Sequence, residues 1–433
     1  MTMLESGLGS QVLSSAESLN RGCFCRTLNV KRLRSHLESD PSLKGMMENI
    51  ATTRPHLFAS TVVFISNEMK QKIVATVAAI QRVVALTGYQ AQALHRAPPI
   101  AQQAFGPVGA CMGFDFHLGV AGPRLIEINT NAGGALLNVA LARAQEQCCE
   151  AMDWTFVPNS ELEGLEETLF EMFLKEWRTQ RGNGHPGRLA IVDDEPANQY
   201  LAPEFELFRE LFERHGVTSS IVDPLDLSWH DGKLWHADAP VDMVYNRLTD
   251  FYLDDPRHQA LRHAYEAGAV VMTPDPRAHA LYADKRNLIA LSHDDMLAAW
   301  GASIDDRQLL KSVVPQTQLV TADRADEMWT QRRQLFFKPV AGHGAKAAYR
   351  GDKLTRRVWG EILAGQFVAQ ALVPPAERLI EVDGELTDLK FDIRAYTYGN
   401  RVQLLAARIY SGQTTNFRTH GGGFAPVIVV PMQ

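Results

Sequence analysis

Between residues 185 and 280, short apolar runs alternate with longer amphipathic runs, and this alternation restricts the fold more than any other feature of the sequence. The runs RLAIVDD, VTSSIVDP, DMVYNRL and AVVMTP predict buried strands, whereas APEFELFRELFERHG and PRHQALRHAYEAG have the periodicity of helices. Strands that alternate with helices are typical of a parallel α/β sheet. No G-x-G-x-x-G sequence follows the first of these strands, so a Rossmann dinucleotide site is not expected.

Composition and charge argue against several classes of protein. The chain has 433 residues and a net charge of −7, which argues against a broad surface for nucleic acid or for an anionic membrane. No apolar run reaches the roughly 20 residues of a membrane-spanning helix. The five cysteines are odd in number and fit no zinc-binding spacing. Reduced thiols in a cytoplasmic protein are therefore expected.

A β-hairpin is predicted from GACMGFDFHLGVAGPRLIEIN, with its turn at the Gly-Pro pair. Glu127 and Asn129 are two residues apart on the second strand, so their side chains point to the same face. Asp115 on the first strand is expected beside Glu127. Carboxylate and amide oxygens suit Mg²⁺, and a cation between the two carboxylates would remove their repulsion. The alternative is a solvated polar face on an edge strand.

A lysine and a glycine-rich loop follow the next strong strand pattern. Lys338 comes directly after the apolar run LFF, and the loop 341–347 contains Gly342 and Gly344. The backbone N–H groups of such a loop can approach a phosphate closely. The loop does not have the Walker A sequence, and the alternative is an ordinary surface hairpin.

The run KFDIRAY places three charged side chains, those of Lys390, Asp392 and Arg394, on one face of a strand. The return strand adds Arg408, and the polar loop after it contains Asn416. Cations grouped on a strand face suit a phosphate or a carboxylate. The alternative is a solvated face with internal ion pairs.

Taken in order, these segments resemble the motifs of the ATP-grasp family. GFDFHLGVAGPRLIEINTNAGG is similar to its metal-binding hairpin, and ADKRNL, with Lys285, to the lysine at the entry of the fold. FFKPVAGHG resembles the second ATP lysine with the phosphate-covering loop, and FVAQALVPP the segment at the adenine edge. The hairpin normally comes last, but here it precedes Lys338 by more than 200 residues. The resemblance is therefore to circularly permuted members, such as glutathionylspermidine synthetase and eukaryotic glutathione synthetase.

The resemblance implies a circularly permuted ATP-grasp fold, of α/β and α+β type, with an α/β substrate domain. Three regions are expected. Residues 1–184 would form a helical segment with the metal-binding hairpin that completes the ATP-grasp sheet. Residues 185–280 would form the substrate domain, and residues 281–433 the nucleotide-binding domain. The glycine-rich run RGNGHPGR marks the first of these boundaries.

The resemblance also implies an ATP-dependent carboxylate–amine ligase, which forms an amide through an acyl phosphate and releases ADP and phosphate. ATP and Mg²⁺ are the expected cofactors, and a small carboxylate and a small amine are the expected substrates. Nucleic acid and membranes are not expected as partners, and a homodimer is left open. The implied site residues are Asp115, Glu127 and Asn129 for the metal; Lys285, Lys338, Gly342, Gly344, Lys346, Gln370 and Lys390 for ATP; and Arg394, Arg408 and Asn416 for catalysis.

The α/β region offers a candidate substrate site. Asn246 and Arg247, in VYNRLTDF, follow a strand end, where sheets of this type bind ligands. Arg247 is the candidate for binding a substrate carboxylate. A structural ion pair is the alternative for this arginine.

Two positions depart from the family pattern. Gly113 stands where ligases of this fold often carry an arginine, so Arg394 or Arg408 is expected to stabilise the transition state instead. The phosphate-covering loop lacks an acidic residue that some permuted relatives use as a metal ligand, which makes Asp115 more necessary. Two other functions stay open. One is a non-catalytic ATP-binding partner protein, which the first departure supports, and the other is an ATP-grasp phosphotransferase.

Overall fold

Four β-sheets with helices packed around them make up the protein, as seen in a computed structural model that describes residues 15–146, 162, 164–342 and 347–430. The strands of these ranges, in chain order, are β1 (Val63–Ser66), β2 (Met112–Gly119), β3 (Gly122–Asn129), β4 (Arg188–Val192), β5 (Thr218–Val222), β6 (Leu227–His230), β7 (Lys233–His236), β8 (Ala239–Val241), β9 (Met243–Asn246), β10 (Val271–Thr273), β11 (Thr317–Leu319), β12 (Leu335–Pro339), β13 (Tyr349–Arg350), β14 (Phe367–Ala371), β15 (Ala376–Val382), β16 (Glu385–Tyr398), β17 (Arg401–Tyr410) and β18 (Gly423–Val430).

The helices of the same ranges pack on both faces of the larger sheets. They are α1 (Ser15–Gly22), α2 (Val30–Leu37), α3 (Met46–Thr53), α4 (Asn67–Val84), α5 (Thr87–His95), α6 (Ala135–Arg143), α7 (Leu165–Arg181), α8 (Ala202–Arg214), α9 (Gln259–Glu266), α10 (Pro276–Ala278), α11 (Asn287–Ser292), α12 (Asp294–Ala299), α13 (Ile304–Val313), α14 (Ala325–Gln331) and α15 (Arg356–Ala364).

The largest sheet has seven strands and joins distant parts of the chain. Its order is β1-β18-β17-β16-β2-β3, and β15 pairs with the first half of β16. The β1–β18 pair is parallel and the other pairs are antiparallel. Gly399 and Asn400 are typical turn residues that predict a hairpin, and the β16–β17 hairpin turns there. The β2–β3 hairpin adds to the free side of β16, so residues near 120 lie in one sheet with the last 60 residues of the chain.

The turn of the β2–β3 hairpin differs from the prediction. Gly119 pairs with Gly122, so Val120 and Ala121 form the turn, whereas Pro123 lies inside β3 opposite Leu118. The prediction of a turn at Gly-Pro was therefore wrong. Proline is tolerated here because β3 is an edge strand. Proline has no N–H to donate, and on the outer side of an edge strand no neighbouring strand needs one.

The second sheet has the order β10-β9-β4-β5, and its pairs are all parallel, as the strand–helix alternation predicted. Its strands carry apolar residues on both faces, which pack against α7, α8 and α9. The carboxyl end of β9 approaches the loop that follows the β2–β3 hairpin. There Asn131 Nδ2 donates to the carbonyl oxygen of Leu248 at 3.0 Å.

The third sheet, β11-β14-β12-β13, is antiparallel and has a small core of its own around Phe337, Met328 and Trp359. Lys338 on β12 reaches out of this sheet to the hairpin, where its Nζ donates to the carbonyl oxygen of Ile126 at 2.8 Å. The strands β6, β7 and β8 form a small fourth sheet.

The amphipathic pattern of residues 66–87 predicts a helix, and this helix is α4. The Ser66 side chain caps it by accepting a hydrogen bond from the Met69 N–H, and its apolar face packs on the largest sheet. The sequence also predicts helices over residues 133–150 and 160–181, the second capped by Ser160. The first is α6, which ends at Arg143, and the second is α7, which begins at Leu165, while Ser160 lies outside the described residues. Within the described ranges, no single helix is long and apolar enough to cross a membrane, and α4 and α5 pass that test only as a pair bent by 76°.

Candidate functional site

Asp115 lies at the centre of a buried cluster of charged side chains on the largest sheet. It pairs with Glu127 across β3 on one side and with Arg394 across β16 on the other. Arg394 donates to its two carboxylate oxygens at 2.7 Å each, and Arg408 Nη2 donates to Oδ2 at 2.8 Å. Burial alone would raise the pKa of Asp115, but the two guanidinium groups outweigh it and hold this pKa well below its usual value.

Arg408 connects Asp115 to a second carboxylate. Its Nε and Nη2 donate to the two oxygens of Asp392 at 2.8 and 2.9 Å, and Thr415 Oγ1 also donates to Asp392. The face predicted from KFDIRAY therefore carries internal ion pairs, as its alternative interpretation expected, but it is buried and not solvated at Asp392 and Arg394, which are 3% and 8% exposed. Because the planar guanidinium bridges two carboxylates, the position of Arg408 is fixed.

Gly113 leaves room for Arg394. A Cβ at residue 113 would lie 3.1 Å from Arg394 Nε and 2.6 Å from the Cβ of Ala132. The Arg394 side chain thus runs over the backbone of Gly113, in the space that a side chain at this position would need. A larger residue here would displace Arg394 from Asp115.

Glu127 and Asn129 lie beside this cluster on the same face of the hairpin. Asn129 Nδ2 donates to Asp115 Oδ2 at 3.1 Å and to Glu127 Oε1 at 3.3 Å. Burial acts to raise the pKa of Glu127, but the positive charges of Lys285 and Lys338 dominate and lower it. Glu127 is therefore ionised at neutral pH and makes fewer hydrogen bonds than Asp115.

The donor set fits a metal ion only in part. In the described part of the chain, no group of three or more His, Cys, Asp or Glu side chains is arranged to hold one. The Asp115 oxygens already accept bonds from two arginines. Glu127 and the amide oxygen of Asn129 are hard ligands, and they fit a Mg²⁺ ion whose other ligands come from phosphates and water.

The predicted nucleotide lysines converge on the same hairpin. Lys338 Nζ bonds Gln370 Oε1 at 2.9 Å in addition to the Ile126 carbonyl, and Gln370 Nε2 is buried without a partner. Burial lowers the pKa of Lys338 to about 8, although Glu127 opposes this shift. Lys285 Nζ donates to the carbonyl oxygen of Gly342 at 2.8 Å, which ties the two lysine segments together. Gly344 and Lys346 lie outside the described residues.

The side chains of Asn416 and Lys390 stabilise the loop after β17. Asn416 Nδ2 donates to the carbonyl oxygens of Ser411 and Thr414, and its Oδ1 accepts from Arg418 N and Thr419 Oγ1. Lys390 Nζ donates to the carbonyl oxygen of Gly412 at 2.6 Å. The amide atoms of Asn416 are thus used inside the loop, whereas Lys390 uses one of its three N–H donors there, and the roles expected for both at the phosphates stay predictions.

The two residues at the end of β9 have different surroundings. Asn246 is buried, and its amide bonds the Pro274 carbonyl and the Leu248 N–H, so it stabilises the local backbone rather than facing a ligand. Arg247 is 7% exposed, and its Nη1 donates to the carbonyl oxygen of Asn131 at 2.8 Å. Its Nε has no hydrogen-bond partner, and no carboxylate of the described residues forms a close ion pair with it. Burial alone would lower the pKa of Arg247, but the charges of Glu204 and Asp193 act on it from farther away and help to raise it. The structural ion pair considered for Arg247 is thus not formed among these residues.

Two residues that no sequence pattern indicates as functional hold the glycine turn after β3. Glu204 accepts hydrogen bonds from the N–H groups of Gly134 and Leu136 at 2.6 and 3.1 Å. Tyr396 Oη donates to the carbonyl oxygen of Gly133 at 2.8 Å. Both residues lie far along the chain from the turn, so no local pattern could indicate them.

Comparison with known proteins finds similar structures but no similar sequences. No family model and no curated protein matches the sequence. A glutathione synthetase-like effector from Globodera pallida superposes with a TM-score of 0.53 and 11% identity, over 93% of this chain and 97% of that chain.

Two further structures match more distantly. A γ-glutamylcysteine synthetase-like protein from Methylobacillus flagellatus has a TM-score of 0.46 and 10% identity, over 81% of this chain and 85% of that one. D-alanyl-alanine synthetase A from Vibrio cholerae has a TM-score of 0.29 and 11% identity, over 53% and 88%. At these identities the comparisons show the fold alone, and of these three structures the first has a TM-score above 0.5. The chain has the fold of the glutathione synthetase-like effector, which agrees with the resemblance to glutathione synthetases that its motifs indicated.

Proposed function

We propose that the protein is an ATP-dependent ligase that joins a carboxylate to an amine, and forms an amide bond with release of ADP and phosphate. The observation that carries this proposal is the convergence of four cationic side chains on one hairpin. Lys285, Lys338, Arg394 and Arg408 come from three separate parts of the chain and meet beside Glu127. Phosphoryl transfer requires positioning and neutralisation of charge more than a side-chain nucleophile.

The proposal includes a circularly permuted order of the ATP-grasp elements. The β2–β3 hairpin precedes the rest of its sheet in the sequence, and Asp115 and Arg394 pair although they are 279 positions apart. This arrangement supports the expectation that residues before 184 complete a sheet built mainly by residues after 281. The parallel sheet over residues 185–280 would then serve as the substrate domain.

In the proposed reaction, Lys285 and Lys338 hold the nucleotide, and the Gly342 loop covers its phosphates. Gln370 Nε2, buried and unpaired, is available to the adenine edge. Mg²⁺, held by Glu127 and Asn129, would neutralise charge on the phosphates. The substrate carboxylate attacks the γ-phosphate and gives an acyl phosphate, and the amine then displaces phosphate.

Arg408 is the residue to which we assign the main catalytic role. Its guanidinium is fixed by Asp115 and Asp392 before substrate binds, so its orientation needs little reorganisation during the reaction. Arg394 occupies the space over Gly113, which supports the expectation that it takes over from the arginine absent at that position.

Arg247 is the proposed site for a substrate carboxylate. The Nε–H of this buried guanidinium has no hydrogen-bond partner, and an incoming carboxylate would accept a hydrogen bond from it. Arg247 borders the glycine turn after β3, because a Cβ on Gly133 would lie 2.8 Å from its Nη2. The substrate would thus extend from Arg247 toward Glu127.

One observation favours a different function. Asp115 and Asp392 neutralise the two arginines in this structure, and the expected arginine is missing at Gly113. A protein that binds ATP without turnover would have the same arrangement. This non-catalytic ATP-binding partner is the second candidate.

The test is a screen of amino acids and polyamines, with ATP and Mg²⁺, for release of ADP, followed by mass spectrometry of the products. An amide product supports the ligase, whereas a stable phosphorylated product would support a phosphotransferase. ATP binding without turnover would support the non-catalytic candidate. Glu127→Gln should abolish turnover and weaken ATP binding in the presence of Mg²⁺. Its matched control is Glu385→Gln, at an exposed position on β16, which should leave both unchanged.

A further inference from the structure

A cavity of about 220 Å³ lies where two strands of the largest sheet separate. The ladder between β17 and β18 covers Ala406–Ile409 and Gly423–Pro426 and then ends. Pro426 has no N–H to continue the ladder, and beyond it β18 pairs with β1 on its other side. The facing edges of β17 and β18 therefore part, and the cavity fills the gap between them.

The walls of this cavity are largely apolar. Val402, Leu404, Val427 and Val429 line it from the two strands. Helix α4 closes one side and helix α6 the other, where Ala142 faces the cavity. Among the described residues, Lys70 is the one charged side chain in the lining, so the cavity suits neutral or anionic molecules better than cations.

Two residues of the lining each carry a buried side-chain oxygen that accepts no hydrogen bond. These atoms are Oδ1 of Asn138 and Oε1 of Gln403. Asn138 is 2% exposed, and its Nδ2 donates to the Gly134 carbonyl at 2.7 Å, which fixes the orientation of the amide. Buried acceptors are normally satisfied, and a pair left unsatisfied beside one cavity requires an explanation.

We propose that this cavity is a second binding site, for a small and mainly apolar molecule that carries N–H or O–H donors. The donors bond to Asn138 Oδ1 and Gln403 Oε1, and the apolar body packs against the valines and leucines of β17 and β18. The site lies between α4 and α6, and it shares none of the residues assigned above to ATP, metal or substrate.

The first experiment compares two probes of the same shape. A titration of the full chain, followed by ¹⁹F NMR, uses 5-fluoroindole, which has one N–H donor, and 5-fluorobenzofuran, which has an oxygen in its place. Both fit a cavity of this size. Saturable binding of the indole, about 2–10-fold tighter than that of the benzofuran, is expected from the one hydrogen bond that differs. Absence of saturable binding, or equal affinity for both probes, would overturn the proposal.

Variants then locate the binding. Ala142→Phe fills the cavity and should abolish binding of both probes. Ile304→Phe adds the same ring at a position that is 66% exposed, and should leave binding unchanged. Binding that persists in a folded Ala142→Phe protein would place the probe elsewhere and refute the site.

Gln403→Met keeps the approximate size of the side chain and removes the acceptor. This test remains valid even if the Ala142→Phe protein does not fold. The preference for the indole over the benzofuran should fall by about 2–10-fold, while benzofuran affinity stays the same. An unchanged preference would show that the indole N–H does not bond Gln403, and the role proposed for Gln403 would be wrong. The ATP-dependent activity has no part in these readouts.

Discussion

At the scale of single residues, the clearest consequence concerns Asp115. It was expected as a metal ligand, but it is the shared carboxylate of two buried arginines. Asp115→Ala would leave Arg394 buried without its counter-charge, and loss of one partner of such a pair costs about 3–5 kcal/mol. We expect this loss in the free energy of unfolding measured with urea at pH 7. Asp388→Ala, at an exposed position on the same sheet, is the control and should change little.

The same residue predicts a pH dependence of stability. The pKa of Asp115 is lowered in the folded protein, so its contribution is fully present above the unfolded value of about 4 and is lost as the pH falls toward 2. The stability difference between wild type and Asp115→Ala should therefore be constant above about pH 5 and shrink below pH 4. A difference that does not depend on pH would show that the carboxylate acts through packing alone.

Arg408 provides the second prediction at this scale. Arg408→Lys keeps the charge but cannot bridge Asp115 and Asp392 with a planar fork. Turnover should fall by about 10²–10³, the usual effect of removing one preorganised donor. ATP affinity should change much less, because the lysines hold the nucleotide. Arg401→Lys, at the exposed start of the same strand, should retain full turnover. A loss found entirely in ATP affinity would give Arg408 a binding role instead.

At the scale of elements, the turn between β3 and α6 is the sensitive connection. Gly134 has φ of +103°, and a Cβ there would lie 2.3 Å from the ring of Phe424. Gly134→Ala should therefore destabilise the protein by about 2–5 kcal/mol, from left-handed strain and overpacking together. Gly232 has φ of +69° in open space, so Gly232→Ala should lose only about 1–2 kcal/mol. Urea unfolding of the two variants checks this, and equal losses would exclude the contact with Phe424 as the cause.

Sequence patterns predicted most elements because the signals are local. The parallel sheet, α4 and the β16–β17 hairpin follow from periodicity and turn residues within 10–20 positions. The hairpin at 112–129 was predicted as well, and only its turn was misplaced. Asn246 was selected from its place at a strand end, but the amide bonds the backbone beside it. Position in a sheet indicates where a site lies, but it does not show which side chains are free.

The contacts that define the candidate site could not be predicted in this way. The pairing of Asp115 with Arg394, and the passage of Arg394 over Gly113, depend on the register between strands 279 positions apart. Likewise, the absence of a hydrogen-bond partner for Arg247 Nε depends on the positions of the surrounding side chains in the folded chain. Such facts become visible only when the tertiary structure is known.

At the scale of the whole molecule, the largest sheet should hold the two halves of the chain together. The glycine-rich link at 182–185 is exposed, so a protease site can be inserted there. Cleavage at this site would place the β2–β3 hairpin and β16 on different fragments, which the strand pairing would still hold together. After cleavage the two fragments should co-elute on size exclusion and separate only in denaturant. Uncleaved protein with the same insertion is the control. Fragments that separate without denaturant would show that the sheet contacts are weaker than they appear here.

The place of β2 and β3 in the sheet also affects how the protein is made in the cell. The hairpin is synthesised early, but its neighbour β16 leaves the ribosome about 280 residues later. At the usual rate of about 5–20 residues per second, the hairpin waits on the order of 15–60 s with one edge and the charged residues of β2 unpaired. An unpaired strand edge is prone to aggregate. The nascent chain should therefore depend on a chaperone during this interval more than a protein whose neighbouring strands are translated one after the other.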